Sequence, residues 1–455
     1  MAAFSALDPR SGAMLSQHPL LEPEALEQRL SAAHEAQVSW RARPPADRAT
    51  HLARAARILR DRAEEWGTLM AREMGKPILQ GRAEAEKCAW LLDHFSAAGP
   101  AMLEPEHVGT DGSSSYVRLD PVGLVLAIMP WNFPFWQVFR CAAPALLAGN
   151  GVILKPAPSV PGCALALESI LSEAGFPAGL FTSAFVDVAT IGGLLADPRI
   201  ALVTLTGSER AGVHVAELAG RHLKKAVLEL GGSDPFIVLA DADLDRAAEI
   251  AVKSRCQNNG QSCIAAKRFI VEAPVAAPFI ERFRAALAAQ KVGDPLEART
   301  DLGPLARADL RHALQVQVER SRELGARVIL GGELPIGPGF YYPPTMLVDV
   351  GPGHPVWDEE TFGPVAAVRV VRDAPEAIAS ANASRYGLGA ALFTRDRARA
   401  EALAAELESG AVFINGMVKS DPRLPFGGVK RSGYGRELSW QGLRELVNQK
   451  TVWIA

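Results

Sequence analysis

The chain has 455 residues, of which 48% are hydrophobic and 22% charged, and its formal net charge is −3. This length predicts two or three packed units, and the weak charge argues against a polybasic nucleic-acid binder. The five cysteines and nine histidines are scattered, which argues against a disulfide framework and against any metal site. The most apolar stretch, 122–136, is too short to cross a membrane, and the chain starts without a signal-peptide pattern. We therefore expect a cytoplasmic α/β enzyme.

The predicted secondary structure changes along the first half of the chain, from helices alone to strands that alternate with helices. Residues 22–77 carry apolar side chains at helical spacing, and Gly75-Lys-Pro ends that pattern. From 122 to 231, short β-rich runs such as VGLVLAIM and GVILKP alternate with helical segments. Such alternation predicts a parallel sheet with crossover helices, which binds its ligand outside the carboxyl ends of its strands.

A second alternating set follows Gly232, beginning with PFIVL and a helix from about 242 to 256. It predicts a second α/β domain. The segments 113–121 and 449–454 are short, β-rich and outside both sets. They are candidates for an arm that pairs with another subunit, with a frayed hairpin and a loose terminus as the alternative.

The run QNNGQSC places Cys263 after a glycine and small polar residues. A tight turn there can expose the sulfur and direct backbone N–H groups toward it. Taken alone, a buried and inert cysteine is the better interpretation. Cys141 and Cys163, which lie in apolar helical segments, have that character.

Two further residues suit acyl chemistry. Glu229 ends a β-rich apolar run and is followed by two glycines; burial there can raise its pKa so that it acts as a general base, while a salt-bridged structural role fits equally well. Asn132, in PWNFPFW at a strand end, can donate its amide N–H to an oxyanion, which is compatible with capping the next helix.

Two strand-to-helix junctions lack the standard nucleotide motifs. Neither LTGSERAG (205–212) nor LKPAPS (154–159) contains GxGxxG or a Walker A pattern. Gly207 and Ser208 can nevertheless place backbone donors near a pyrophosphate, and Lys155 can reach a ribose hydroxyl or a phosphate.

Together these residues resemble the aldehyde dehydrogenase superfamily in order and spacing. Further matching segments are EETFGPV (359–365), FINGMV (413–418) and PFGGVKRSGYGREL (425–438), so the resemblance covers essentially the whole chain. Within the superfamily it is most similar to the short bacterial succinate-semialdehyde dehydrogenases. The resemblance implies a Rossmann-like cofactor domain (1–112 and 126–230), a second α/β catalytic domain (231–428), and a small β oligomerisation arm with the C-terminal tail (113–125 and 429–455). It also implies a homodimer or homotetramer.

The resemblance also implies roles for the residues. Cys263 would attack the aldehyde to give a thiohemiacetal, Asn132 and the Cys263 N–H would hold the oxyanion, and Glu229 would activate the water that hydrolyses the thioester. The residues implied for the NAD or NADP site are Trp131, Lys155, Ser159, Gly207, Ser208, Glu360 and Phe362. Pro158 stands where many NAD-preferring relatives have a glutamate, so we expect that both cofactors are accepted.

The aldehyde end of the site gives a more specific expectation. Asn132, Trp136 and Arg140 are spaced four apart, which places them on one helix face. Arg140 would then lie about two turns up the substrate tunnel and pair with the carboxylate of succinate semialdehyde. The alternative is an exposed Arg140 in a solvated ion pair. Ser420 could donate to the same carboxylate. Gln257 stands where some relatives have a second arginine and supplies no charge, so an enzyme of broader specificity, which also accepts glutarate semialdehyde or uncharged aldehydes, is an alternative.

Two rival functions remain at this point. A CoA-acylating dehydrogenase would pass the thioester to CoA and would need no hydrolytic base, so Glu229 favours hydrolysis. A non-catalytic homologue on the same fold is disfavoured because Cys263, Glu229 and Asn132 are all present. Formation of NADH with an aldehyde would separate an enzyme from such a homologue.

Overall fold

The computed structural model describes residues 3–455. Its helices are α1 (Pro23–Arg41), α2 (Pro45–Asp61), α3 (Ala63–Met74), α4 (Ile78–Met102), α5 (Trp136–Ala148), α6 (Pro161–Glu173), α7 (Ile191–Ala196), α8 (Glu209–Arg221), α9 (Leu244–Cys256), α10 (Ala273–Ala288), α11 (Ala308–Glu323), α12 (Pro355–Asp358), α13 (Ala374–Asn382), α14 (Arg397–Glu406) and α15 (Ser439–Glu445). Its strands are β1 (Ala3–Leu7), β2 (Met14–Pro19), β3 (Glu106–His107), β4 (Ser114–Pro121), β5 (Leu124–Ile128), β6 (Gly151–Lys155), β7 (Phe181–Ser183), β8 (Ile200–Thr206), β9 (Lys225–Glu229), β10 (Asp234–Val238), β11 (Ala266–Glu272), β12 (Arg327–Leu330), β13 (Thr345–Val348), β14 (Val365–Val371), β15 (Tyr386–Gly387), β16 (Gly389–Phe393), β17 (Ala411–Ile414), β18 (Val429–Lys430), β19 (Gly433–Tyr434) and β20 (Val447–Ile454).

A six-stranded sheet has the order β19-β9-β8-β5-β6-β7, in which all strands but β19 are parallel. Strands β5 and β6 are apolar and almost fully buried, as expected when helices cover both faces of a parallel sheet. The predicted α/β fold with a Rossmann-like parallel sheet is confirmed. The carboxyl ends of β5, β6, β8 and β9 share one edge, so the segments that follow them meet there.

A seven-stranded sheet has the order β12-β13-β14-β11-β10-β16-β17, with only β12 antiparallel. Its strands come from the segment between 234 and 414, which is the second alternating set of the sequence. Phenylalanines from β10, β11 and β16 stack in its core, with ring centroids of Phe236 and Phe393 4.5 Å apart. The boundary predicted near residue 230 falls between the two sheets and remains a prediction.

A three-stranded sheet β20-β4-β3 contains the segments that were predicted to form the arm, whose role in oligomerisation stays a prediction. Its make-up corrects two of the predicted limits. Within 113–125, β4 belongs to the arm but β5 begins at Leu124 and joins the six-stranded sheet; within 429–455, only β20 pairs with β4. The short strand β18 pairs with β15, and β19 pairs with β9 directly at Glu229. The segment after 428 therefore completes other parts of the fold as well as the arm.

In residues 3–455 no helix is both long and apolar enough to cross a membrane. The same residues contain no group of three or more His, Cys, Asp or Glu side chains that could hold a metal ion.

Candidate active site

The turn before Cys263 is built by two asparagines in left-handed backbone conformation. Asn258 and Asn259 have φ of 56° and 59°, a region that Asn tolerates better than most residues. The Asn259 amide donates to the carbonyls of Gly75 and Pro304, at 2.8 and 3.0 Å. Gly260 has φ of +74°, and a Cβ there would lie 2.3 Å from the carbonyl carbon of Gly363. The QNNG sequence thus fixes one backbone path toward the cysteine.

Asn132 lies against this same turn. Its side-chain amide donates to the Gln261 carbonyl at 3.1 Å, and its own carbonyl accepts from the Asn258 amide at 2.7 Å. The Asn132 side chain is 4% exposed. Since a side-chain amide has two N–H groups, one remains for a ligand after the bond to Gln261.

Glu229 ends β9, and β19 pairs with this end of the strand, with Gly433 opposite Glu229 and Tyr434 opposite Leu228. Its carboxyl is 2% exposed, and neither oxygen has a hydrogen-bond partner in the described part of the chain. Burial raises the pKa of Glu229 to about 8, against the opposing effect of the Arg140 charge. The chain then passes close to the cysteine, because a Cβ on Gly232 would lie 2.6 Å from the Cys263 carbonyl oxygen.

Cys263 is partly exposed, whereas the other four cysteines are buried. Burial of the thiol and the nearby Glu229 charge raise its pKa to about 12, although Arg140 opposes this. The thiol is therefore protonated at neutral pH and needs a base before it can attack.

A cavity of about 390 Å³ joins these residues to the cofactor candidates. It is lined by Asn132 and Cys263 together with Trp131, Gly207, Ser208, Glu360, Phe362 and neighbouring residues. Ser208 caps α8, its hydroxyl accepting from the Ala211 N–H at 3.3 Å. A helix N-terminus at a cleft suits a phosphate group. The Trp131 and Phe362 rings meet edge to face at 5.7 Å. The cavity thus offers aromatic, backbone N–H and carboxylate groups, which are the kinds of group that hold a dinucleotide.

The remaining cofactor candidates lie beside this cavity and not in its lining. Lys155 ends β6, next to Ile128 of β5, and its ammonium is 5.5 Å from the centre of the Phe4 ring. Burial lowers the pKa of Lys155. The Ser159 hydroxyl is buried without a hydrogen-bond partner among residues 3–455. An unpartnered buried hydroxyl can donate to a ligand that brings an acceptor.

Trp136 and Gln257 line a second cavity, of about 240 Å³. Ser420 reaches it indirectly, since its hydroxyl accepts from the Trp136 indole N–H at 3.1 Å. This cavity adjoins the first through the Asn132-Phe133 segment, because Asn132 lines one cavity and Phe133 the other. Trp136 and Gln257 thus share one cavity and Ser420 contacts Trp136, while their role in binding the substrate stays a prediction.

Arg140 is a correction to the sequence analysis. It is 2% exposed, and its Nε lies 2.7 Å from the Glu437 carboxylate in an ion pair that is not aligned as a hydrogen bond. Its Nη2 donates to the Thr206 hydroxyl at 3.3 Å. The guanidinium is thus held by Glu437 and Thr206 instead of pointing up a substrate tunnel. Because the Arg140–Glu437 pair is buried, the alternative of an exposed Arg140 in a solvated ion pair is wrong as well. The helical spacing was correct, but spacing cannot reveal a partner nearly 300 residues later.

The sequence analysis missed a buried pair that holds the Asn132 loop. Glu84 of α4 forms an ion pair with Lys76, and both are almost fully buried. The other Glu84 oxygen accepts from the N–H groups of Phe135 and Trp136, each at 3.0 Å, at the start of α5. Lys76 in turn donates to the Asn132 carbonyl at 3.0 Å. No clear signal in the sequence marks this pair, because α4 carries several other charged residues and Lys76 lies before the helix begins.

Lys267 was missed as well. It lies in the apolar strand β11, is completely buried, and donates to the carbonyls of Ser262 and Cys263 at 3.0 and 2.8 Å. Its ammonium lies 3.8 Å from Glu360, whose other contact is the Gly232 N–H at 3.0 Å. A charged residue in a buried strand could have indicated this role, since such a charge needs partners.

Comparison with known proteins agrees with this site. Residues 2–452 match the aldehyde dehydrogenase family. A probable succinate-semialdehyde dehydrogenase [NADP(+)] of Synechocystis sp. is 50% identical over 453 residues, covering 100% of both chains. The succinate semialdehyde dehydrogenase [NAD(P)+] Sad of Escherichia coli K12 is 49% identical, covering 98% of this chain and 97% of its own. The structure of succinic semialdehyde dehydrogenase from Streptococcus pyogenes in complex with NADP+ superposes with a TM-score of 0.97 at 36% identity, covering 99% of this chain and 100% of that one. The chain belongs to the aldehyde dehydrogenase family.

Proposed function

We propose that this enzyme oxidises succinate semialdehyde to succinate, with NAD+ or NADP+ as the hydride acceptor. The observation that carries the proposal is that Asn132 and Cys263 line one cavity with the cofactor candidates, while buried Glu229 lies close enough to Cys263 for its charge to raise the pKa of the thiol. The substrate is supported by relatives of about half identity over the full chain that are named for it.

Trp131, Gly207, Ser208, Glu360 and Phe362 would hold the cofactor in the first cavity. When bound, its nicotinamide supplies the site that takes the hydride from the substrate. For the 2′ position of the ribose, Pro158 offers no carboxylate to repel a phosphate, and the free Ser159 hydroxyl can donate to one. These features support the use of both cofactors.

The protein's own groups account for the remaining chemistry. Glu229, ionised in part near its pKa of about 8, takes a proton from the Cys263 thiol. The thiolate then adds to the aldehyde carbon. The free Asn132 N–H and the Cys263 backbone N–H donate to the oxygen as it becomes negative. After oxidation to the thioester, Glu229 gives up the thiol proton to solvent and becomes a carboxylate again. It then deprotonates a water molecule, which adds to the acyl carbon. The C–S bond breaks, the sulfur takes the proton back from Glu229, and the carboxylate product leaves with release of its own proton.

The Asn132 loop is rigid because the Lys76–Glu84 pair and the Asn258 amide all bind it. A donor that is already in place stabilises the oxyanion without reorganising during the reaction. Lys267 holds the Cys263 turn in place in a similar way, because its ammonium donates to the Cys263 carbonyl.

We also propose a cytoplasmic homodimer or homotetramer. The five free cysteines suit a reducing compartment. The arm strand β20 has β4 on one side only, and its Trp453 and Ile454 side chains are about half exposed. An open strand edge with exposed apolar side chains suits pairing with a second subunit.

A substrate panel tests the proposal. Succinate semialdehyde, glutarate semialdehyde and butanal are each oxidised with NAD+ and with NADP+, and absorbance of the reduced cofactor is followed. We expect turnover without CoA, the highest kcat/KM for succinate semialdehyde, and activity with both cofactors. No cofactor reduction with any aldehyde, or turnover only when CoA is added, would contradict the proposed function.

A further inference from the structure

The second cavity contains a cation that no acidic group neutralises. Lys76 and Lys87 line this cavity, and Arg140 lies close enough to Lys87 for its charge to lower the pKa of that lysine. Lys76 is paired with Glu84, and Arg140 with Glu437. Among residues 3–455, no carboxylate oxygen lies within 4.0 Å of the Lys87 ammonium. Lys87 is therefore the cation of this group that is available to an anionic ligand.

Lys87 is held in place by neutral groups. Its Nζ lies 4.2 Å from the centre of the Trp136 ring and donates to the Ser420 hydroxyl at 2.9 Å. An aromatic face and a hydroxyl orient an ammonium without cancelling its charge. Burial and the nearby Arg140 charge lower the pKa of Lys87 to about 8. The charged ammonium is therefore unfavourable in this environment, and binding of an anion beside it would be favoured.

The Ser420 hydroxyl completes the arrangement. Its oxygen accepts from both Lys87 Nζ and the Trp136 indole N–H, at 2.9 and 3.1 Å. A hydroxyl accepts through two lone pairs and donates one proton, so Ser420 still has its O–H to give. Lys87 and Ser420 thus present an ammonium and an O–H donor side by side.

We infer that Lys87, assisted by Ser420, binds the carboxylate at the far end of the aldehyde substrate. This inference rests on the proposed function and assigns the role that the sequence analysis gave to Arg140. The aldehyde end would lie by Asn132 and Cys263, and the chain of the substrate would pass Phe133 and Trp136. Lys87 is then a specificity residue, because it acts on acids and contributes little to uncharged aldehydes.

Lys87→Met tests the inference, since Met keeps the length of the side chain and removes its charge. We expect kcat/KM for succinate semialdehyde to fall roughly 10- to 150-fold, the loss of one charge-assisted bond. The value for butanal should change far less. Succinate, tested as a competitive inhibitor of butanal oxidation, should bind correspondingly more weakly to the variant. The matched control is Glu86→Gln, an exposed charge one residue earlier on α4, for which both substrates should behave as in the wild type.

The outcomes separate the inference from the proposed function. If the wild-type enzyme does not prefer succinate semialdehyde to butanal, the proposed substrate is wrong. If the wild type has that preference and Lys87→Met keeps it, or loses both activities equally, Lys87 is not the carboxylate ligand. Should Lys87→Met fold poorly, Ser420→Ala gives a second test, because it must also weaken succinate inhibition selectively.

Discussion

The pH dependence of turnover should reveal the titration of Glu229. Its pKa of about 8 results mainly from burial. Arg140 and Arg436 face it and lower the pKa, while Glu437 faces it and raises it. A base with this pKa is roughly one-tenth ionised at pH 7 and roughly nine-tenths ionised at pH 9. Because only the ionised form can take a proton, kcat limited by thioester hydrolysis should rise about tenfold between these two pH values.

The assay uses butanal at saturating concentration, so that titration of Lys87 does not affect binding of the substrate. The control is Glu229→Gln, in which both the first turnover of reduced cofactor and the later cycling should be slow, because thiol activation and thioester hydrolysis both lose their base, and kcat should not rise from pH 7 to pH 9. A flat wild-type profile, or the same tenfold rise in Glu229→Gln, would refute the assignment of Glu229 as the base.

Three further predictions follow from the buried groups of the site. Cys263→Ala should lower aldehyde oxidation by a factor on the order of 10³ or more while cofactor binding, measured by fluorescence titration, is retained; substantial residual oxidation would contradict covalent catalysis. Glu84→Gln should lower the free energy of unfolding in urea by about 3–5 kcal/mol, because Lys76 is left buried without a counter-ion. Adding Lys76→Met should recover part of this loss. If the losses of the two single variants simply add in the double variant, the pair is not coupled. Arg140→Met should cost a similar amount of stability by isolating Glu437 and should lower kcat/KM for succinate semialdehyde and butanal alike, whereas a selective loss for succinate semialdehyde would return Arg140 to the role of carboxylate ligand.

The sequence allowed the fold class and the reacting groups to be predicted for a clear reason. Strand and helix periodicities are local, and they indicated both parallel sheets. Asn132 and Cys263 stand in turns of unusual composition, and the structure places them in one cavity. Their chemical roles remain predictions.

The partners of buried charges could not be predicted in the same way. Arg140 meets Glu437, and Lys87 meets Ser420, across most of the chain length. Helical spacing fixes the face on which a side chain lies, but the element packed against that face decides what it contacts. Lys87 also lies on a long helix with charged residues before and after it, so nothing in the local pattern distinguishes it from a solvated lysine.

The strand β19, which covers Glu229, affects the order in which the enzyme can fold. Residues Gly433–Tyr434 pair with β9, and β20 pairs with β4, although the entire seven-stranded sheet lies between these partners in sequence. Pairings of such long range close slowly, because a large loop must be ordered before they form. During synthesis, β9 therefore remains an unpaired edge strand of the six-stranded sheet until residues 433–434 have been made. Glu229, the proposed general base, gains this neighbouring strand only then, so we expect the chain to become active late in its folding.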